Sequence, residues 1–229
     1  MSRQFQAPPE AAFRRNVLFA IELLDAVTLE RVSQGVDVVA DGLQAKPIVN
    51  ASGLFVWLNE DLASLRKITI DPGPLPYESV ALDPAQLQMP LTSVELPPRI
   101  DYAFAAGVTG MRGVLIEQRV PSPQRPVPVR DAELHLRWLD DNSVWQDGPV
   151  SHSDPRGGDF AAVLRFAPAD VPLLDNDGAL TVRLHARRGA NDRESADLKL
   201  PQGRITDPSA FAQDPPPNPL IFSWDELQP

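Results

Sequence analysis

The stretch LFAIELLD at residues 18–25 and the stretch MRGVLIEQ at residues 111–118 open two segments that share one order of strands and turns. Each stretch is largely apolar. Each precedes a segment in which apolar and polar residues alternate, VDVVA at residues 36–40 and AELHLRW at residues 132–138. Alternation with a period of two is typical of a β-strand with one buried face. The sequence therefore predicts an internal repeat of one small β-unit.

The later parts of the two units also correspond. In both, a glycine-bearing turn leads into a strand that carries large aromatic residues, with Gly53 in the first unit and Gly158 in the second. A turn that enters a strand often requires a positive φ, which glycine adopts without steric cost. The alternation predicts these large core residues: Phe55, Trp57, Trp138, Phe160 and Leu184. The alternative is two unrelated β-stretches that share generic strand and turn chemistry.

Length and proline content suggest how the chain is divided. Its 229 residues suffice for two domains of about a hundred residues each. The 25 prolines are about twice the ordinary rate, and because proline cannot donate to a β-ladder, its clusters mark loops and linkers. We predict an all-β fold of two tandem antiparallel β-sandwich domains, Ig-like or prealbumin-like, with an extended proline-rich C-terminal tail. The predicted ranges are an N-terminal arm at 1–15, sandwiches at 16–90 and 97–207, and the tail at 208–229.

Charge and composition exclude several classes of partner. The formal net charge of −10 disfavours binding to phosphate backbones and anionic lipid, and no apolar run approaches the roughly 18 residues of a membrane span. The chain has no cysteine, which excludes disulfides and thiolate metal sites but leaves the compartment open, and the first residues have no apolar signal core. We therefore expect no nucleic acid partner, no membrane insertion and assembly in the cytoplasm without a signal peptide.

The first unit, over residues 16–84, resembles the carboxypeptidase regulatory-like (prealbumin-like) β-sandwich family. That family has a D-x-x-T turn after its first strand, then a G-V-x-V strand and an x-G-x-F strand start. The matching residues are Asp25, Thr28, Gly35, Val36, Val38, Gly53 and Phe55. The resemblance is looser in the second unit. It implies a seven-stranded sandwich that serves as an appended or structural module and has no catalytic residues of its own.

Few residues are candidates for chemistry. His135 and His185 occupy outward positions of alternating strands, which predicts a solvated strand face. Residues 151–154 read Ser-His-Ser-Asp, but adjacency in sequence does not build the oriented contacts of a catalytic triad. Two acidic loops, at residues 140–147 and 175–178, contain the oxygen ligands that calcium prefers, yet solvated turns are the favoured interpretation. We therefore predict no catalytic, cofactor-binding or metal site.

The C-terminal tail combines a proline run with an apolar end. Residues 214–219 predict an extended, semi-rigid spacer. The candidate partner-binding residues follow it: Leu220, Ile221, Phe222 and Trp224. They could dock on their own sandwich, dock on a neighbouring subunit, or stay disordered.

These features predict a non-catalytic structural or assembly protein whose partners are other protein subunits. Multi-sandwich proteins are common at cell surfaces, whereas this chain shows no export signal. A phage-tail-like contractile injection particle resolves that conflict, because it assembles in the cytoplasm and is released outside the cell. The alternative is an accessory module that binds a carbohydrate or peptide through loops at one end of a sandwich, with Trp145 as the candidate contact. Neither hypothesis assigns an enzymatic activity to the protein.

Overall fold

The described part of the chain is built from β-strands. The computed structural model describes residues 16–58, 61–120, 125–130, 132–206 and 220–229. Within these ranges the regular structure consists of strands and short 3-10 turns, which confirms the predicted all-β class. None of these helical turns has the length and apolarity that crossing a membrane requires. The predicted arm at 1–15 and the predicted proline spacer at 214–219 lie outside the described residues.

The first half of the chain, residues 16–98, forms two sheets around one core. Its strands are β1 (Val17–Asp25), β2 (Asp37–Asp41), β3 (Ile48–Val49), β4 (Phe55–Leu58), β5 (Lys67–Asp71), β6 (Val80–Leu82) and β7 (Leu91–Leu96). One sheet has the order β3-β4-β1-β7 and the other has the order β2-β5-β6. Inward side chains of both sheets join in one cluster that includes Phe19, Ile21, Phe55, Trp57, Ile68 and Ile70.

The second half, residues 99–229, has its own core. Its strands are β8 (Thr109–Ile116), β9 (Glu133–Leu139), β10 (Trp145–Asp147), β11 (Ser151–His152), β12 (Asp159–Leu164), β13 (Ala179–Arg188), β14 (Asn191–Glu194), β15 (Leu198–Pro201), β16 (Ile205–Thr206) and β17 (Ile221–Ser223). β8 lies between β12 and the two short strands β16 and β17, while β9 and β13 form the centre of the larger sheet. Their inward side chains make a second cluster that shares no residue with the first.

Strand pairing follows the same order in both halves. β1 pairs antiparallel with β4 and parallel with β7, and β8 pairs antiparallel with β12 and parallel with β16 and β17. In the other sheets, β5 pairs antiparallel with β2 and β6, and β13 pairs antiparallel with β9 and β15. The two halves thus share one order of strand pairing.

The core residues expected from the alternation are confirmed. Each of the five has at most 3% of its surface exposed: Phe55, Trp57, Trp138, Phe160 and Leu184. In β9 the buried and partly exposed residues alternate along the whole strand, as a period of two requires.

The first sheet extends beyond residue 90, where the sequence placed the end of the first unit. β7 pairs with β1 in register from Ala20–Leu91 to Asp25–Leu96, and its Val94 and Leu96 are buried in the first core. The prolines around residues 90 and 97 therefore bound a strand of this sheet. Any fragment that is meant to contain the first core has to include β7.

The turn after β1 has a local cause in the sequence. The carboxylate Oδ1 of Asp25 accepts hydrogen bonds from the backbone N–H groups of Val27 and Thr28, which fixes a tight Asx-type turn. Glycine is required further along, because Gly35 and Gly53 have φ values of +74° and +77°. The D-x-x-T and glycine positions that carry the family resemblance thus have physical roles in this chain.

The same aspartate also connects the two halves. Its Oδ2 accepts hydrogen bonds from the hydroxyls of Tyr77, in the first half, and Tyr102, in the second, at 2.9 and 2.5 Å. Burial and these bonds to Asp25 raise the pKa of both tyrosines, so both remain donors. Nearby, Arg165 makes a two-pronged ion pair with Glu95 and donates to the carbonyl oxygen of Ala26.

Candidate functional site: an apolar sheet face on the first half

The outer face of the sheet β3-β4-β1-β7 carries a row of apolar side chains. The strand registers place Ile48 opposite Val56, Val56 opposite Ala20, and Ala20 opposite Leu91. We call these four residues the apolar row. Adjacent strands are about 4.8 Å apart, so the row spans about 14 Å across the sheet. Ile48 and Leu91, at its two ends, are 50% and 40% exposed.

Further apolar surface adjoins the row. Val17, at the start of β1, is 58% exposed, and Met89, just before β7, is 47% exposed. Single exposed apolar residues are common on soluble proteins, but apolar residues in register across four strands favour an interaction surface. The exposed area lies at the ends of the row, since Val56 is partly exposed and Ala20 is 7% exposed. The sheet is thus apolar on its core side and also on the part of its outer side that contains the row.

One side of the row is polar. Glu22 lies on the outer face of β1 and accepts hydrogen bonds from the guanidinium of Arg31 and from the hydroxyl of Ser93. The bonds from Arg31 and Ser93 lower the pKa of Glu22, which keeps the carboxylate ionised. An apolar centre with a charged and hydrogen-bonded rim is the usual anatomy of a protein interface.

The corresponding face of the second half is covered. There Arg112 occupies the outer face of β8, donates to the backbone oxygen of Tyr102 and lies over the ring of Phe104 at 5.2 Å. On the neighbouring strand β12, the outward residues Ala161 and Val163 are 0% and 2% exposed. Among the described residues, the outer faces of these two similarly paired sheets therefore differ: the first has exposed apolar residues at the two ends of its row, Ile48 and Leu91, whereas Ala20 between them is 7% exposed.

The C-terminal segment docks on the second half. β17 pairs parallel with β8, from Ile221–Val114 to Ser223–Ile116, and it continues the edge that β16 begins. Leu220 and Phe222, two of the four candidate partner-binding residues, are 2% and 7% exposed and belong to the second core. Of the three possibilities left by the sequence, docking on the chain itself is the one observed. A partner contact through the partly exposed Ile221 and Trp224 stays a prediction.

This segment connects both sheets of the second half. Beyond β17, the backbone of Gln228 exchanges two hydrogen bonds with that of Glu194, at the end of β14. Arg193 donates to the backbone oxygen of Trp224 and lies over its ring at 5.1 Å. Three of the four residues that the sequence suggested for partner binding thus pack in or against the second core.

The Ser-His-Ser-Asp run forms structural hydrogen bonds. The hydroxyl of Ser151 donates to the carbonyl oxygen of Ala161, and that of Ser153 accepts from the backbone N–H of Ala132. Asp154 accepts from two backbone N–H groups of its own turn. Both serine hydroxyls and the aspartate are thereby committed to backbone groups.

The two acidic loops are turns held by their first aspartate. Asp140 accepts hydrogen bonds from the backbone N–H groups of Asn142 and Val144, and Asp175 accepts from those of Asp177 and Ala179. These bonds lower the pKa of Asp140 and of Asp175. Over the described ranges, no three acidic or histidine side chains are grouped as a metal site would require.

The outer face of the larger sheet of the second half is a network of paired polar groups. His135 and His185 lie opposite each other on β9 and β13 and stack at 4.5 Å between ring centroids, so the face is less solvated than the sequence predicted. Burial, and then the neighbouring His185, lower the pKa of His135. Beside them, the guanidinium of Arg183 lies 4.4 Å from the ring centre of Trp145. One face of the candidate ligand-binding tryptophan is therefore occupied within the chain.

Comparison with protein-family models, with curated proteins and with solved structures gives no significant match.

Sequence reasoning missed the apolar row, although a signal for it was present. Residues 55–58 read FVWL, so the side chains on both faces of this strand are apolar. In β1, too, most side chains on either face are apolar. Strands that are apolar on both faces are typical of sheets covered on both sides. Among the described residues, one face of this sheet packs in the core and the other keeps Ile48 and Leu91 exposed.

Proposed function

We propose that this protein is a non-catalytic structural component that binds another protein subunit through the apolar row of its first half. The observation that carries the proposal is the four-strand row Ile48–Val56–Ala20–Leu91, with its exposed ends and polar flank. Covering such a surface removes apolar area from water, which stabilises an interface by about 25 cal/mol per Å² before the costs of association.

The polar side chains support a structural role. The groups that sequence reasoning considered for catalysis or calcium hold turns and strand ends through backbone hydrogen bonds. Trp145, the contact expected for a carbohydrate or peptide ligand, stacks on Arg183. We find no feature that favours the accessory binding module over the assembly component.

The proposal includes a finer description of the fold and of the particle. Each half would be a sandwich domain of the carboxypeptidase regulatory-like kind, which the separate cores, the common pairing order and the seven strands of the first half support. The larger assembly would be a phage-tail-like contractile injection particle. That choice is supported by the conflict between a cell-surface type of fold and a sequence that shows no export signal, which such a particle resolves. It is also supported by the suitability of tandem sandwiches for presenting surfaces, although fold alone does not determine function.

The test is co-expression of the full chain with the proteins encoded by neighbouring genes, followed by size-exclusion chromatography with light scattering. We expect a complex with one of these proteins that the double substitution Ile48→Lys and Leu91→Lys abolishes. The matched control is Val144→Lys, a similarly exposed valine of the second half at 52% exposure. Circular dichroism would check that both variants fold.

Two results would contradict the proposal. In the first, the chain remains a monomer with every neighbouring gene product. In the second, the Ile48→Lys/Leu91→Lys variant forms the complex as well as the unchanged chain does.

A further inference from the structure

The strand β2 has one unpaired edge. β2 pairs with β5 on one side only, and no other strand in the described ranges pairs with it. Alongside β2 lies a groove of about 370 Å³. Apolar residues that line it include Val36, Val38, Leu43, Pro47, Val49 and Phe55. A free strand edge beside an apolar groove offers both backbone hydrogen bonds and side-chain pockets to an added strand.

The second half fills the corresponding position with its own chain. Its strand β9 pairs with β13 on one side, as β2 pairs with β5, and with β10 and β11 on the other side. In the first half the intervening residues contribute β3, which pairs with β4 of the other sheet and leaves β2 open. Among the described residues, the internal comparison thus identifies a position beside β2 that no strand occupies.

Charge argues against a second copy of this chain as the occupant. Asp37, Val39 and Asp41 are the exposed, outward residues of β2. If two copies paired antiparallel about Val39, Asp37 of each would face Asp41 of the other, and like charges directly opposite destabilise a sheet. Asp71 lies opposite Asp37 on β5 and adds to the negative charge at that end, whereas Asp41 is already paired with Arg66 at 2.9 Å.

We propose that the open edge of β2 binds an extended segment of a partner subunit by strand addition. The segment would have apolar residues facing the groove and a Lys or Arg beside Asp37 and Asp71. Val49 lines the groove, whereas its neighbour Ile48 points to the opposite face of β3 and begins the apolar row. A partner that covers both surfaces would therefore pass around the edge strand β3. The inference rests on the proposed assembly function and identifies what kind of segment the partner supplies.

The test uses the full chain and the synthetic peptide Gly-Lys-Val-Ile-Val-Lys-Gly, with both ends blocked. Its two lysines place a basic residue beside Asp37 in either strand direction, and its valines face the groove. We expect amide chemical-shift changes in ¹⁵N-labelled protein to concentrate on residues 37–41. A peptide with glutamates in place of the lysines should bind at least about tenfold more weakly.

Two further comparisons test the mode of binding. Two versions of the peptide would be N-methylated, one on the odd-numbered and one on the even-numbered residues. One version should lose binding and the other retain it, because only every second amide of an added strand forms a hydrogen bond with β2. Asp37→Lys should weaken binding about tenfold, and Ala81→Lys, an exposed position on the opposite edge strand β6, should leave it unchanged.

The proposal is overturned if shift changes at 1 mM peptide are absent or map to another strand, or if the glutamate peptide binds equally well. It is also overturned if residues 37–41 shift with protein concentration alone, which would identify a second copy as the occupant. Because the peptide result depends on β2 and the co-expression result depends on the apolar row, either can fail without the other.

Discussion

Replacing Phe222 with alanine tests whether the C-terminal segment is part of the second core. The side chain is 7% exposed, and its ring centre lies 5.9 Å from that of Phe160. Truncating a buried phenylalanine typically costs about 3–5 kcal/mol of unfolding free energy. We expect the lower end, about 3 kcal/mol, because β17 has three residues and pairs only with β8 among the described strands, so it can relax. With a urea dependence of about 2–3 kcal/mol per M, the midpoint should fall by about 1–1.5 M.

The matched control is Ile221→Ala, one residue earlier on β17, where the side chain is partly exposed. We expect it to cost about 1 kcal/mol, since partly exposed side chains lose less on truncation. Both variants would be unfolded in urea and followed by circular dichroism and tryptophan fluorescence. A loss below about 1 kcal/mol for Phe222→Ala, or equal losses for the two variants, would refute the assignment of β17 to the second core.

Two other predictions concern a backbone contact and a titration. A Cβ at Gly42 would lie 1.8 Å from the carbonyl oxygen of Ser64 at a φ of +96°, so Gly42→Ala should cost about 2–4 kcal/mol in urea unfolding. Gly178→Ala, at a φ of +74° with no atom within 4 Å, should cost only about 1 kcal/mol, and similar losses would contradict the steric argument. Because the folded state lowers the pKa of His135, the unfolded chain binds more protons below the ordinary value of about 6.5, and stability should fall as pH drops from 7 to 5.5. His135→Gln should reduce that fall, and an unchanged pH profile would show that His135 contributes nothing to it.

The sequence correctly predicted the features of the fold that depend on local pattern, namely strand faces and turn conformation. Alternation in residues 132–138 predicted which side of β9 is buried, and Trp138 is 2% exposed on that side. The glycine before Phe55 predicted a left-handed turn, and Gly53 has a φ of +77°. Both follow from steric limits and from the side-chain period of a strand, which hold whatever the rest of the fold is.

The sequence could not predict the features that depend on which strands pair with each other. Residues 91–96 lie between prolines and read as a connector, yet they pair with β1, about seventy residues earlier in the chain. The apolar row exists only because the registers of three strand pairs bring Ile48, Val56, Ala20 and Leu91 into one line. Register is fixed by packing across the whole sheet, so a single strand's pattern does not contain it.

The differences between the two halves are informative because their strand pairing is the same. In the second half, Arg112 with Phe104 covers one sheet, and β10 with β11 covers the edge of β9. In the described part of the first half, no side chain or strand covers the corresponding positions at Leu91 and along β2. An open strand edge and an exposed apolar face are liabilities for an isolated protein, because both promote unspecific association. The second half shows that this arrangement of strands can cover both positions with its own chain. Among the described residues the first half leaves both uncovered, with Ile48 on the outer face of β3 and Val49 on the side of the groove, which is the arrangement expected if the proposed partner covers them.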